Sequence, residues 1–157
     1  VKAAGNYAAG MRAVARAKAD GFDNVVYLDA RESKYIDETG ATNFFGIRTD
    51  GDQPTYVTPR SLSILASITN RSLMTLAAEQ GLVVEQRPVP VDELASFAEA
   101  GCCGTAAVIA PVGSIDHRGT AIEYGAEAGP YTQALYDELT GIQTGQREDK
   151  HGWLTFV

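Results

Sequence analysis

Three stretches of the chain hold groups able to do chemistry. In "VKAAGNY", Lys2 precedes Tyr7. A lysine forms a Schiff base with a carbonyl compound when burial or a nearby cation lowers its pKa, and a tyrosine hydroxyl beside it can assist proton traffic. The plainer reading of the same residues is a solvated lysine near a terminus. In "SITNRS", a turn runs into a helix whose first N–H groups have no partner within the helix, and Thr69 stands at that junction. Such a junction is either an ordinary N-cap or an anion site, because free N–H groups and the helix dipole favour negative charge there. In "CCGTAAVIAP", small residues turn into an apolar run. A ligand can approach such a backbone closely and Thr105 offers a hydroxyl, although a tight turn into a core strand has the same pattern. Glu38, between Asp37 and Thr39, reads from its neighbours as a surface acid.

The elements that must position these groups follow from pattern. Asn6 is expected to cap a helix running through "YAAGMRAVARAKAD" and closed by Asp20-Gly21, with Gly10 weakening it by about 1 kcal/mol. "NVVYLDA", "NFFGIR", "PTYVTP" and "LVVEQRPV" read as strands, with a turn at Thr39-Gly40 and an end at Asp50-Gly51. Thr69 is expected to cap a helix that places Leu73, Leu76 and Ala77 on one face and stops at Gly81. "VDELASFAEAG" predicts a second helix, capped by Asp92, and "TAAVIAPV" a central strand. "GTAIEYG" reads as a hairpin arm or loop. Pro130 opens a helix with Tyr131, Leu135 and Leu139 on one face, ending near Gly145, and "HGWLTFV" is expected to close as a strand. The fold class is therefore mixed α/β (α+β), with residues 1–157 forming a single domain. Neither GxGxxG nor GxxxxGK[ST] occurs, which disfavours a doubly wound nucleotide-binding sheet.

Composition narrows the partners. The chain has 157 residues, 45% hydrophobic and 21% charged, with a net charge of −7. These are the proportions of a water-soluble globular domain, and the acidic balance argues against nucleic acid as a general partner. No apolar run approaches the ~20 residues of a membrane span, and no secretory leader is visible. Cys102 and Cys103 are adjacent, so they bridge each other only with strain and form no disulfide framework. His117 and His151 sit in separate polar segments, and no metal site is expected.

Taken together, a lysine, a helix start suited to phosphate and a threonine turn suggest a pyridoxal phosphate pocket. Five segments, in order, carry a resemblance to the class IV (fold-type IV) aminotransferases, and within them to the branched-chain amino acid aminotransferases. "VKAAGNYAA" resembles the stretch around that family's Schiff-base lysine, and "VVYLDARESKYIDETGATNFF" its strand, turn and cofactor-nitrogen acid. "TPRSLSILASITNRSLMTLA" is similar to the phosphate loop and helix, "CGTAAVIAPVGSI" to the substrate-facing turn, and "GPYTQALYDELTGIQTG…D…GWL" to the final helix and tail.

The resemblance implies roles residue by residue. Lys2 would hold pyridoxal 5'-phosphate and shuttle the Cα proton; Tyr7 would hydrogen-bond the cofactor's phenolic oxygen. Glu38, five residues before Asn43 as in the family, would contact the pyridine nitrogen and keep the ring protonated. That role needs a buried acid and displaces the surface reading. Leu65 would pack on the ring. The N–H groups of Ile68 and Thr69, with the Thr105 hydroxyl, would bind the phosphate, and the turn Thr105-Ala106-Ala107 would offer N–H groups to the substrate carboxylate.

The chain departs from the family's pattern at Ala66-Ser67, where Pro-Gly is common, and at Ala41, where many members carry threonine. Ala107 and Ala110 stand where some animal members carry a redox cysteine pair.

The implied reaction is transamination of leucine, isoleucine or valine with 2-oxoglutarate. The alternatives are a D-amino acid aminotransferase, an aminodeoxychorismate lyase, or an inactive cofactor-binding piece. The family's smaller N-terminal domain, which supplies an arginine to the phosphate and part of the substrate pocket, is expected to be missing here. The chain would then be the large C-terminal domain. Its implied partners are amino acid and 2-oxo acid substrates, that other domain and a second subunit in a homodimer or larger assembly, in the cytoplasm.

Overall fold

The structure is a computed structural model describing Gly5 and residues 8–155. Its centre is a seven-stranded sheet built from β1 (Val26–Leu28), β2 (Ile36–Thr39), β3 (Thr42–Arg48), β4 (Thr55–Pro59), β5 (Val83–Arg87), β6 (Glu99–Gly104) and β7 (Val108–Pro111). Strand β3 is the hub. One edge pairs with β6 from Asn43↔Cys103 to Ile47↔Glu99. The other is shared by β2, at Glu38↔Asn43, and β4, from Gly46↔Val57 to Arg48↔Thr55. All pairings are antiparallel except β4 with β5, which are joined by helix α2 (Ile68–Glu79) as a crossover. A separate hairpin pairs β8 (Ser114–His117) with β9 (Thr120–Glu123).

Alternation along the strands divides the apolar residues between two cores. Phe45, Ile47 and Tyr56 pack with Leu73, Leu76 and Ala77 of α2 and with Leu135, Leu139 and Ile142 of the final helix (Pro130–Gln143). Phe44 and Val57 pack instead with Val89, Leu94, Phe97 and Ile115. Gly101 lies opposite Phe45, and a Cβ there would come within 2.4 Å of that ring. The aromatic core thus requires glycine at this register position.

Several expectations are met. The strand at "NFFGIR", the turn at Gly40 (φ +57°), the buried face Leu73, Leu76 and Ala77, the stop at Gly81 (φ +84°) and the proline-opened final helix are all observed. Others are corrected. The helix expected after Asn6, α1, spans Met11–Ala19 after a 3-10 turn at Ala8–Gly10, with Gly10 at its N-cap; Asn6 lies outside the described residues. Thr69 is not a cap but the second residue of α2, whose N-cap is Ser67. "VDELASFAEAG" is not a helix: Val91–Ser96 forms one 3-10 segment, Asp92 falls inside it, and Glu99 begins β6. "TAAVIAPV" is not central, because β7 pairs with β6 alone and forms an edge. Residues 151–155 of the tail are not in a strand.

The corrected segment has a structural use. Glu99 is buried, and its two carboxylate oxygens accept the N–H groups of Tyr131 (3.1 Å) and Thr132 (2.8 Å) at the start of the final helix, here called α3. A carboxylate suits this place because the helix start presents unpaired donors and partial positive charge.

Candidate functional site

Strand β4 ends at Pro59, a loop follows, and α2 begins beyond the C-terminal edge of the parallel β4–β5 pair. Crevices of this kind are where crossover folds present a helix N-terminus to a ligand. The Ser67 hydroxyl accepts the N–H of Asn70 at 3.1 Å, and the Ser67 carbonyl takes that of Arg71 at 3.1 Å. The N–H groups of Ile68 and Thr69 have no hydrogen-bond partner among the described residues. Ser67 therefore uses the third donor of the helix and leaves the first two for an anion. Its position two residues ahead of Thr69 is the signal that distinguishes it as the cap: its side chain reaches the N–H three residues on.

The first residue of the β3–β6 ladder ties the other candidates to this loop. Asn43 is buried, and its Nδ2 donates to the Leu65 carbonyl at 3.2 Å. Its neighbour across β2 is Glu38, which is half-buried, and its neighbour across β6 is Cys103. From Cys103 the chain runs through Gly104 into the turn Thr105-Ala106-Ala107, whose three residues are exposed. The turn closes on Val108 at φ +55°, a conformation that costs a β-branched residue on the order of 1–3 kcal/mol. Glu38, Leu65, Ile68, Thr69 and Thr105–Ala107 are accordingly gathered at one end of the sheet. Lys2 and Tyr7 lie outside the described residues.

A cleft of about 270 Å³ opens at this end, with Asn43, Leu65 and Ser67 in its wall. Arg60 and Arg71 also line it, and no carboxylate among the described residues does. The ion pairs among the described residues engage Arg16, Arg48, Arg87, Arg147 and His151, so both cleft arginines are unpaired there. Sequence reasoning missed Arg60, Arg71, Asn43 and Asn70. Their types gave no signal, since only the β4–α2 crossover and its contact with the start of β3 bring them together.

The sheet is antiparallel apart from the one parallel crossover, and the α2 start with its two unengaged N–H groups lies at the end of that crossover. The family described as amino-transferase class IV matches residues 2–115, and the chain belongs to that family. It is 46% identical to the branched-chain-amino-acid aminotransferase of Haemophilus influenzae, over 100% of this chain and 47% of that protein. Against the Mycobacterium tuberculosis (strain H37Rv) protein of the same name it is 44% identical, over 98% of this chain and 44% of the relative. Among solved structures, the Escherichia coli branched-chain amino acid aminotransferase superposes with a TM-score of 0.83 at 34% identity, covering 98% of this chain and 50% of that one. The Thermobaculum terrenum branched-chain amino acid aminotransferase, in its PLP-form, superposes with a TM-score of 0.84 at 34% identity, covering 98% and 48%. The chain spans about half the length of the curated relatives it matches.

The described residues fit the cofactor this family implies. A phosphate dianion matches the two unengaged N–H groups at the α2 start, and the neighbouring cleft carries two unpaired arginines and no carboxylate among the described residues. The face of a flat aromatic ring matches the half-buried Leu65 in the cleft wall.

Proposed function

We propose that this chain holds pyridoxal 5'-phosphate at the sheet end described above, and that the complete protein transaminates branched-chain L-amino acids with 2-oxoglutarate. The observation that carries this reading is the position of Asn43, which sits between Glu38 and the Leu65 carbonyl and so joins an acid to a phosphate-ready loop. The relatives named above are all branched-chain aminotransferases, which favours this reaction over the D-amino acid and aminodeoxychorismate alternatives.

In the proposed site Ile68 and Thr69 donate backbone N–H groups to the phosphate, and Thr105 adds its hydroxyl. Leu65 packs on the ring face. Tyr7 donates to the phenolic oxygen, and Glu38 holds a proton on the pyridine nitrogen. When bound, the cofactor supplies an electron sink for the pair released at the substrate's Cα. Lys2 would hold the cofactor and, once its amine is free, would move the proton from the substrate's Cα to C4′ of the cofactor. Ala106 and Ala107 orient the substrate through N–H groups offered to its carboxylate. A carboxylate at position 38 matters because a protonated ring nitrogen withdraws electrons far better than a neutral one.

The relatives' names support a branched-chain amino acid as one substrate; 2-oxoglutarate, a cytoplasmic location and a homodimer or larger assembly are proposed from the family resemblance alone. None of the described helices is long and apolar enough to cross a membrane.

The test is Lys2→Ala in the full-length protein, assayed with leucine, isoleucine or valine and 2-oxoglutarate. Turnover is expected to vanish. A variant that turns over at the parent's rate would remove the assignment.

A further inference from the structure

Beneath the α2 start lies a buried polar chain to which the proposed reaction assigns no part. Asn70 is 4% exposed, and its Oδ1 accepts the Tyr56 hydroxyl at 2.8 Å and the Cys103 thiol at 3.8 Å. Its Nδ2 donates to the Thr58 Oγ at 3.1 Å, and Thr58 donates in turn to the Phe44 carbonyl at 2.9 Å. The donors run in one direction, from Tyr56 through Asn70 and Thr58 to the backbone of β3. Phe44 lies where the β3 edge passes from β2 to β4, between the last β2 pair at Asn43 and the first β4 pair at Gly46. Thr58 thus completes a carbonyl at the fork of the sheet.

The surrounding core is apolar, and apolar side chains of similar volume would fill the same space without burying four polar groups. What the polar chain adds is direction. Apolar packing tolerates small rotations and slides of a helix on a sheet, whereas a linked set of hydrogen bonds permits one register. Asn70 is the third residue of α2, immediately after Ile68 and Thr69, and its own N–H is taken by Ser67. Through Tyr56 and Thr58 it joins α2 to β4; through Cys103 it joins α2 to β6, two residues before Thr105. Burial keeps both outer donors protonated, pushing the Tyr56 phenol far up and the Cys103 thiol up to about 12.

We infer that Asn70, held by Tyr56 and Thr58, is a positioning residue for the cofactor phosphate. It sets the α2 start against β4 and β6, so that the Ile68 and Thr69 N–H groups and the Thr105 hydroxyl converge on one anion. This rests on the phosphate reading given above. Asn70 acts through those groups, since both polar atoms of its carboxamide are engaged within the protein.

The experiment compares binding of pyridoxal 5'-phosphate and of pyridoxal, which lacks the phosphate, by the full-length protein and by Asn70→Ala and Tyr56→Phe. Tyr56→Phe keeps the ring stacked on Phe45 (centroids 5.0 Å apart) and removes only the hydroxyl, so it serves if Asn70→Ala fails to fold. The parent is expected to prefer the phosphorylated ligand. Each variant is expected to bind that ligand about tenfold more weakly, the scale of one lost buried hydrogen bond, with pyridoxal changed by about twofold or less. Equal weakening of both ligands in the variants, or no weakening of either, overturns the positioning role and leaves the phosphate site standing. A parent protein with no preference for the phosphorylated ligand overturns the phosphate reading, and the positioning role with it.

Discussion

At the scale of single residues, Glu38 is the clearest case of a side chain whose surroundings decide its part. Its neighbours Asp37 and Thr39 suggested a surface acid. The β2–β3 turn instead makes it half-buried, beside Asn43, because Gly40 takes a left-handed conformation and Thr39 pairs directly with Thr42. If Glu38 holds the proton of the ring nitrogen, Glu38→Gln keeps the shape but loses the charge that keeps that nitrogen protonated. The expected result is cofactor retained and kcat for transamination reduced by about a hundredfold or more, the scale of two to three kcal/mol in barrier. Steady-state kinetics on the cofactor-loaded variant check this, and unchanged kcat would refute the role. Thr105 and Thr69 were legible as candidates from turn and helix-start chemistry alone, and Ile68 from the resemblance. Asn70, Arg60 and Arg71 were not, because an asparagine inside a helix and two scattered arginines have many ordinary uses.

At the scale of elements, α2 and α3 were readable because periodicity, Gly81 and Pro130 agree with one another. Strand β6 was not. "EAGCCG" lacks β-branched residues and carries two glycines, so its local preference is weak. It is a strand because β3 and β7 pair with it on both sides and because Gly101 admits the Phe45 ring. Strand β7 misled in the opposite sense: its apolar run suggested a centre, yet Pro111 at its end suits an edge. The buried Glu99 on β6 carries a prediction at this scale. Glu99→Ala removes the acceptor of two α3 N–H groups and is expected to lower stability by about 1–3 kcal/mol. Urea unfolding would show this as a lower midpoint with little change in slope. A midpoint equal to the parent's would mean the helix start does not depend on that carboxylate.

At the scale of the whole molecule, the C-terminal ends of β2, β4 and β6 and the first residues of β3 meet at one edge of the sheet. That meeting brings separated stretches to one end of the sheet, where Asn43, Arg60, Leu65, Ser67 and Gln86 line a cleft. Mixed α/β architecture was legible from the alternation of patterns, but the meeting was not. It depends on long-range pairing of β3 with β6 and on the parallel partnership of β4 with β5, which local patterns do not encode. Leu62 and Ile68 stand exposed on the loop and first turn beside the cleft, apolar groups next to the proposed phosphate position.

The central claim is that a lysine at position 2 holds pyridoxal phosphate at this cleft. The direct measurement is to load the full-length protein with pyridoxal 5'-phosphate, reduce it with borohydride, and locate the fixed pyridoxyl group by peptide mass spectrometry. The account predicts a single adduct on Lys2. No adduct, or label spread over other lysines such as Lys18, Lys34 and Lys150, would contradict it.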